Sequence, residues 1–214
     1  MRTILSVLSL VTICTTAARA DRVAAVDLIF ATSNGTPFFG DHFDNGVLEP
    51  IWDVVAGSPG PETGTTLDLH GGDLLLAPLS YDPQTDLAVA SMLDVSGMQP
   101  GDLAAVVLYG ANRGDILAFI LGNGTAFATD ETFAPLGVTS YVGELAVVEL
   151  NYDADGTFRA IVNGSSAFDG IPGGFGPVSE VGLLAIPEPA TVTFMIVGLG
   201  LSALRRRRST NERG

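Results

Sequence analysis

Carboxylates are the only plentiful reactive groups in this chain, and their spacing decides what chemistry is open to them. The densest set, Asn151-x-Asp153-x-Asp155-Gly156, matches the first half of an EF-hand loop, where alternate oxygen ligands precede a bidentate Glu at position twelve. Position twelve here is Val162, and both flanks read as strand, so Asp153-Ala154-Asp155-Gly156 is expected to be a hairpin turn. Calcium is the one cofactor the acidic pattern would suit, and no metal ligands are assigned. Hydrolysis of a glycosidic bond takes two carboxyl groups flanking it. Glu144 and Glu149 differ in parity, so along one strand they would point to opposite faces. His42 and His70 are the only imidazoles, too few for a three-histidine metal centre, and no Gly-x-Ser-x-Gly element is present. His42, beside Phe43, reads as a half-buried strand residue. Trp52, Phe38, Phe39, Tyr81 and Tyr109 could stack on sugar rings or fill a core, and Trp52 in particular suits the core. No residue is assigned a catalytic role, and the chain is read as a non-enzyme.

What must position these groups is a chain of 214 residues, 47% apolar and 16% charged, with 26 Gly and 12 Pro. That composition predicts one domain rich in turns and poor in long helices. The formal charge is −14, and residues 21–186 hold 22 Asp and Glu against Arg22, Arg113 and Arg159, with no Lys anywhere. Phosphate backbones are gripped by dense cationic side chains, so nucleic acid is excluded as a partner.

The two ends read as addresses. Residues 1–20 place Arg2 before an apolar run from Ile4 to Cys14, and Ala18-x-Ala20 closes the segment. This is the pattern of a secretory signal peptide, with a helical apolar region and cleavage by the export machinery, of the Sec type, after Ala20. Ile13 stands where a lipoprotein signal needs a small residue, so Cys14 is not read as a lipid site. With the signal removed no cysteine remains, which closes off disulfides, thiolate metal sites and thiol catalysis.

At the other end Pro187-Glu188-Pro189 precedes an apolar segment, Ala190 to Leu204, and then Arg205, Arg206, Arg207 and Arg208. The prolines favour an extended stretch without backbone donors, which suits a peptide entering another protein's cleft. The apolar segment would span about 22 Å as a helix, a deficit that local bilayer thinning accommodates. Four Arg resist translocation and leave residues 209–214 as a cytoplasmic tail. This three-part arrangement over residues 187–208 resembles the PEP-CTERM sorting signal of exported bacterial proteins. The resemblance implies an inner-membrane intermediate anchored by helix 190–204, cleavage near Pro187-Glu188-Pro189 by a membrane-embedded exosortase, and a final place at the cell surface or outside it.

Between the addresses, residues 21–186 alternate short β-rich runs with Gly, Asn, Asp and Pro. Ten strands are expected: 23–30, 51–56, 66–69, 73–77, 87–93, 103–109, 116–121, 144–152, 157–163 and 181–186. Asn45-Gly46, Asn123-Gly124, Asp155-Gly156 and Asn163-Gly164 supply tight reversals. The sequons starting at Asn34, Asn123 and Asn163 each begin with Asn-Gly, so turn chemistry explains them without a glycan. In the run before Asp153, Ala146, Val148, Leu150 and Tyr152 form the core-facing set.

Asp41-His42-Phe43-Asp44-Asn45-Gly46-Val47-Leu48-Glu49-Pro50-Ile51-Trp52, followed by Leu67–Leu69 and Gly72-Asp73-Leu74-Leu75-Leu76, resembles the first strands of concanavalin A-like jelly-roll domains. Leu150–Asp153, Phe158, Val162-Asn163-Gly164 and Val181–Leu184 are similar to the late strands of that fold. The resemblance implies an all-β, two-sheet antiparallel sandwich. Jelly-roll glycosidases carry Glu-x-Asp-x-x-Glu or a close variant on one strand, and no such string occurs here. The expectation is a noncatalytic surface or matrix protein that binds exopolysaccharide; the alternatives are a degenerate glycoside hydrolase and a structural matrix component bridged by divalent cations.

Overall fold

The computed structural model describes residues 22–186 apart from 63–64, 112–113, 133 and 173–174, so the signal-peptide and tail assignments lie outside the described residues. Fourteen strands and no helix occur among them. In chain order they are β1 (Arg22–Ser33), β2 (Thr36–Asp41), β3 (Asp53–Ala56), β4 (Leu67–His70), β5 (Leu74–Pro78), β6 (Leu87–Asp94) and β7 (Leu103–Gly110). There follow β8 (Ile116–Gly122), β9 (Thr125–Asp130), β10 (Pro135–Ser140), β11 (Leu145–Tyr152), β12 (Phe158–Val162), β13 (Ser165–Gly170) and β14 (Val178–Ile186).

All pairings are antiparallel and make two sheets of seven strands. Sheet A runs β13-β12-β11-β6-β1-β2, with β4 pairing the first half of β1 while β2 pairs the second. Sheet B runs β10-β9-β8-β7-β14-β5-β3. Side chains alternate across each strand, and one alternate set from both sheets meets in a single buried cluster that includes Val26, Ile29, Val89, Val148 and Phe158 of sheet A and Leu75, Val106, Phe119 and Leu183 of sheet B. Ala146, Val148 and Leu150 are buried in that cluster and Tyr152 packs against it, as the alternation predicts.

All ten expected strands are present, with ends shifted by up to three residues; β2, β9, β10 and β13 are additional. Three of the four are return arms. Asn34-Gly35, Asn123-Gly124 and Asn163-Gly164 turn β1 into β2, β8 into β9 and β12 into β13, with Ser33 opposite Thr36, Gly122 opposite Thr125 and Val162 opposite Ser165. Asn34 and Asn163 take φ of 47° and 48°, and their glycines 74° and 76°, the left-handed pair that a two-residue hairpin turn requires. At one side the two sheets touch: a Cβ on Gly137 of β10 would overlap the carbonyl of Ala167 in β13.

Candidate functional site

The domain delivers its C-terminus from the middle of a sheet. β14 lies between β7 and β5, with Ile186 opposite Leu103 and Leu184 opposite both Ala105 and Leu74. Ile186 is 4% exposed, so the strand stays packed to its last residue. Beyond the β5 ladder the turn at residues 70–73 takes over: Gly72 N donates to Ala185 O at 2.8 Å and Ala185 N to Asp73 O at 3.0 Å. That turn is organised by the buried Asp73 carboxylate, which accepts from His70 N at 2.7 Å and Ser58 N at 2.8 Å. Burial pushes its pKa up, against the lowering effect of those two backbone donors and of His70.

The N-terminus emerges beside it. Arg22 opposes His70 in the β1–β4 ladder, and its guanidinium is held by Asp94 at 3.2 Å and Asp68 at 3.5 Å. Both ends of the described body therefore leave from the same region. Three residues separate Ile186 from Ala190, at most about 14 Å of extended chain.

The other sequence candidates are placed as follows. Asp153 and Asp155 sit in the β11–β12 hairpin loop, where Gly156 N donates to Asp153 O and Thr157 N to the Asp155 carboxylate, each at 2.9 Å. Asp153 is also paired with Arg159 at 2.7 Å. The loop is thus a hairpin connection, tied also to Asp86 by Ala154 N at 2.9 Å, and among the described residues no group of three or more His, Cys, Asp or Glu is placed to hold a metal ion. Glu144 precedes β11, whereas Glu149 lies within it on the outward face between Ala90 and Ile161. His42 lines a shallow groove with Leu28, Phe30, Phe38 and Phe39, far in sequence from His70 at the terminal turn.

Among the aromatic candidates, Trp52 and Tyr109 are buried, and Trp52 packs against Phe39 and Phe43. Phe38 and Tyr81 stack at 5.9 Å on the margin of the core.

One constellation escaped sequence reasoning. Asp41, 7% exposed, accepts from Trp52 Nε1 at 2.7 Å and from Phe43 N at 2.9 Å. Phe43 is held at φ 49°, a left-handed backbone that costs a bulky residue about 1–2 kcal/mol, and its ring is wholly buried. Glu62, 6% exposed, accepts from Gly46 N at 3.1 Å through Oε2, while its Oε1 has no hydrogen-bond partner. Burial, then the charge of Asp41, raises the Glu62 pKa. Asp41 and Glu62 are a buried carboxyl pair, yet Asp41 is committed to tying the 42–52 loop onto the core. The sequence signal for it is the Asp41 to Trp52 element, whose resemblance bears on fold alone.

The final core strand, β14, runs in sequence directly into Pro187-Glu188-Pro189. A family model described as the PEP-CTERM protein-sorting motif matches residues 185–209, so its first two positions, Ala185 and Ile186, are already hydrogen-bonded strand. The chain carries that sorting motif, which marks it as an exported protein sorted and processed by an exosortase. Comparison with curated proteins and with solved structures found no match.

Proposed function

We propose that this chain is a noncatalytic cell-surface or extracellular-matrix protein, exported behind a signal peptide cut after Ala20 and released from its membrane anchor near Pro187-Glu188-Pro189. The single observation that carries the reading is the sorting motif at the end of a folded β-domain. Helix 190–204 holds the intermediate in the inner membrane, and Arg205–Arg208 keep its tail in the cytoplasm. The domain is a sandwich of the concanavalin A-like jelly-roll type, and its ligand class is exopolysaccharide. Two facing antiparallel sheets support the fold, and the half-buried Phe38 and Phe39 beside His42 supply an apolar strip of the kind that pyranose rings stack on. The noncatalytic reading is supported by Glu144, which lies outside the strand that carries Glu149, and by Asp41, which is occupied in structure.

Replacing Pro187, Glu188 and Pro189 together with alanine in the producing cell is expected to leave uncut protein in the membrane fraction; release at the normal rate would contradict the sorting role. Incubating the released protein with the cell's own polysaccharide should give saturable binding without chain shortening. Turnover abolished by one carboxylate substitution would replace this reading with a hydrolase.

A further inference from the structure

The last two residues of β14 are held differently from those before them. Through Leu184 the strand is paired on both sides, to β7 and to β5. At Ala185 the β5 ladder has ended, and the 70–73 turn engages both backbone groups of that residue: Gly72 N donates to Ala185 O at 2.8 Å and Ala185 N donates to Asp73 O at 3.0 Å. On the other side Ala185 and Ile186 stand opposite Ala104 and Leu103 of β7. The Asp73 side chain keeps the turn in shape. It is 1% exposed and accepts from His70 N and Ser58 N, while Asp73 N donates to His70 O at 3.0 Å. The fit is close, since a Cβ on Gly57 would overlap the Asp73 carboxylate.

The sorting motif begins at Ala185, so its first two residues are tied into the sheet and this turn. A cleft that recognises an extended peptide pairs with its backbone groups, and those of Ala185 are already engaged. The short linker adds to the constraint. At most about 14 Å of chain joins Ile186 to Ala190, so a membrane-embedded enzyme has to reach Pro187 beside the folded body. We infer that the Asp73 turn is a clasp on the front of the sorting motif, and that its local opening, which frees Ala185 and Ile186 while the rest of the domain stays folded, sets the rate at which the tail is cut. The inference deepens the sorting role proposed above and rests on it. Asp73 acts through Ala185 and touches no reacting bond, so it is a positioning residue. Such an opening costs less than global unfolding, because the two bonds to the turn and the packing of Ile186 are given up while the core keeps its contacts.

The test follows the full-length chain in the producing cell by pulse labelling, with intact mass distinguishing the uncut from the cut form. Asp73→Ala is expected to be cut about threefold faster than wild type or more, and Asp73→Asn, which keeps an acceptor oxygen for one of the two donors, should fall between them. A Gly/Ser spacer of about six residues between Ile186 and Pro187 adds about 20 Å of reach beyond the clasp. It should speed cutting by itself to a similar degree, and in that background Asp73→Ala should add nothing. Phe158→Leu loosens the core in β12, three strands from β1 in sheet A, and should leave the rate within about twofold of wild type. Should Asp73→Ala fail to fold, the spacer variant decides: faster cutting supports the clasp and an unchanged rate overturns it. An Asp73→Ala rate equal to wild type overturns the inference and leaves the sorting role standing. So does an acceleration by Phe158→Leu that matches it, or an equal gain from Asp73→Ala in the spacer background. A wild type that is never cut removes the sorting role, and the inference with it.

Discussion

The outer faces of the two sheets are built from the same kind of strand and meet opposite requirements. On sheet A the outward positions of β11 are Leu145, Val147, Glu149 and Asn151, and Arg159 and Ile161 stand beside them on β12, all at least partly exposed. On sheet B the outward positions of β5, β7, β8 and β14 are mainly Leu, Val, Ala, Ile and Tyr and mostly buried, with Glu180 and Gly182 on β14 and the partly exposed Leu103 and Ile116 at the margin. The inner faces do not differ in this way, since both feed one core. What distinguishes the sheets is therefore their environment outside the core. Sheet A presents partly exposed side chains outward and sheet B a mainly apolar, mostly buried set, and sheet B also holds the strand that runs into the sorting motif.

The largest expected effect lies where the faces are alike. Phe119→Ala on the inner side of sheet B removes a wholly buried ring from the common core, and chemical denaturation should show a loss of about 3–5 kcal/mol. Asp41→Ala strands the Trp52 and Phe43 donors and should cost about 2–3 kcal/mol by the same measurement, with a shift in Trp52 fluorescence as the loop loosens. Gly137→Ala forces β10 away from Ala167, and a loss of about 1–3 kcal/mol is expected. On sheet A, Val147→Glu adds a charge at a position already 39% exposed, so it should change stability by no more than about 0.5 kcal/mol. A loss of several kcal/mol there would erase the contrast between the faces.

The pH dependence is the smallest and broadest effect. Burial raises the pKa values of Asp27, Glu62 and Asp73, with added repulsion from Asp94 on Asp27 and from Asp41 on Glu62. Folding then favours the protonated acids, so their contribution is complete below the unfolded values near 4 and is lost as pH rises through the folded ones. Asp94 works the other way. Hydrogen bonds from Ser96 and the Arg22 charge outweigh its partial burial and lower its pKa, so its contribution is present above the unfolded value and lost as pH falls through the folded one. Thermal unfolding should therefore show stability climbing from pH 7 toward about 4 and turning down below it.

Much of this was legible in the residues, for reasons that differ by element. β11 shows period-two alternation, and its burial follows that pattern. Asn34-Gly35, Asn123-Gly124 and Asn163-Gly164 announced their hairpin turns, whereas Asn45-Gly46 lies in the irregular loop between β2 and β3 and reverses no hairpin; the arms the three pairs return to were missed. β2, β10 and β13 are rich in Gly, Pro, Ser and Thr with few buried positions, so hydrophobic pattern is silent there; for β2 and β13, as for β9, the demand of an Asn-Gly hairpin for a partner is the signal that speaks. The unbroken apolar runs of β5, β7 and β8 carried a signal of their own, because a strand wetted on one side alternates while one dry on both does not. The sorting tail could be read directly, since recognition there rests on the order of three chemically distinct segments. Glu62 could not be read: its burial beside the Asp41 loop arises from a contact sixteen residues from Gly46, set by the path of the loop rather than by local spacing.

The most direct test of the account is the intact mass of the protein recovered outside the producing cell. A chain beginning at Asp21 and ending within or next to Pro187-Glu188-Pro189 is the predicted result. A chain that still carries Arg205–Arg208 would contradict it.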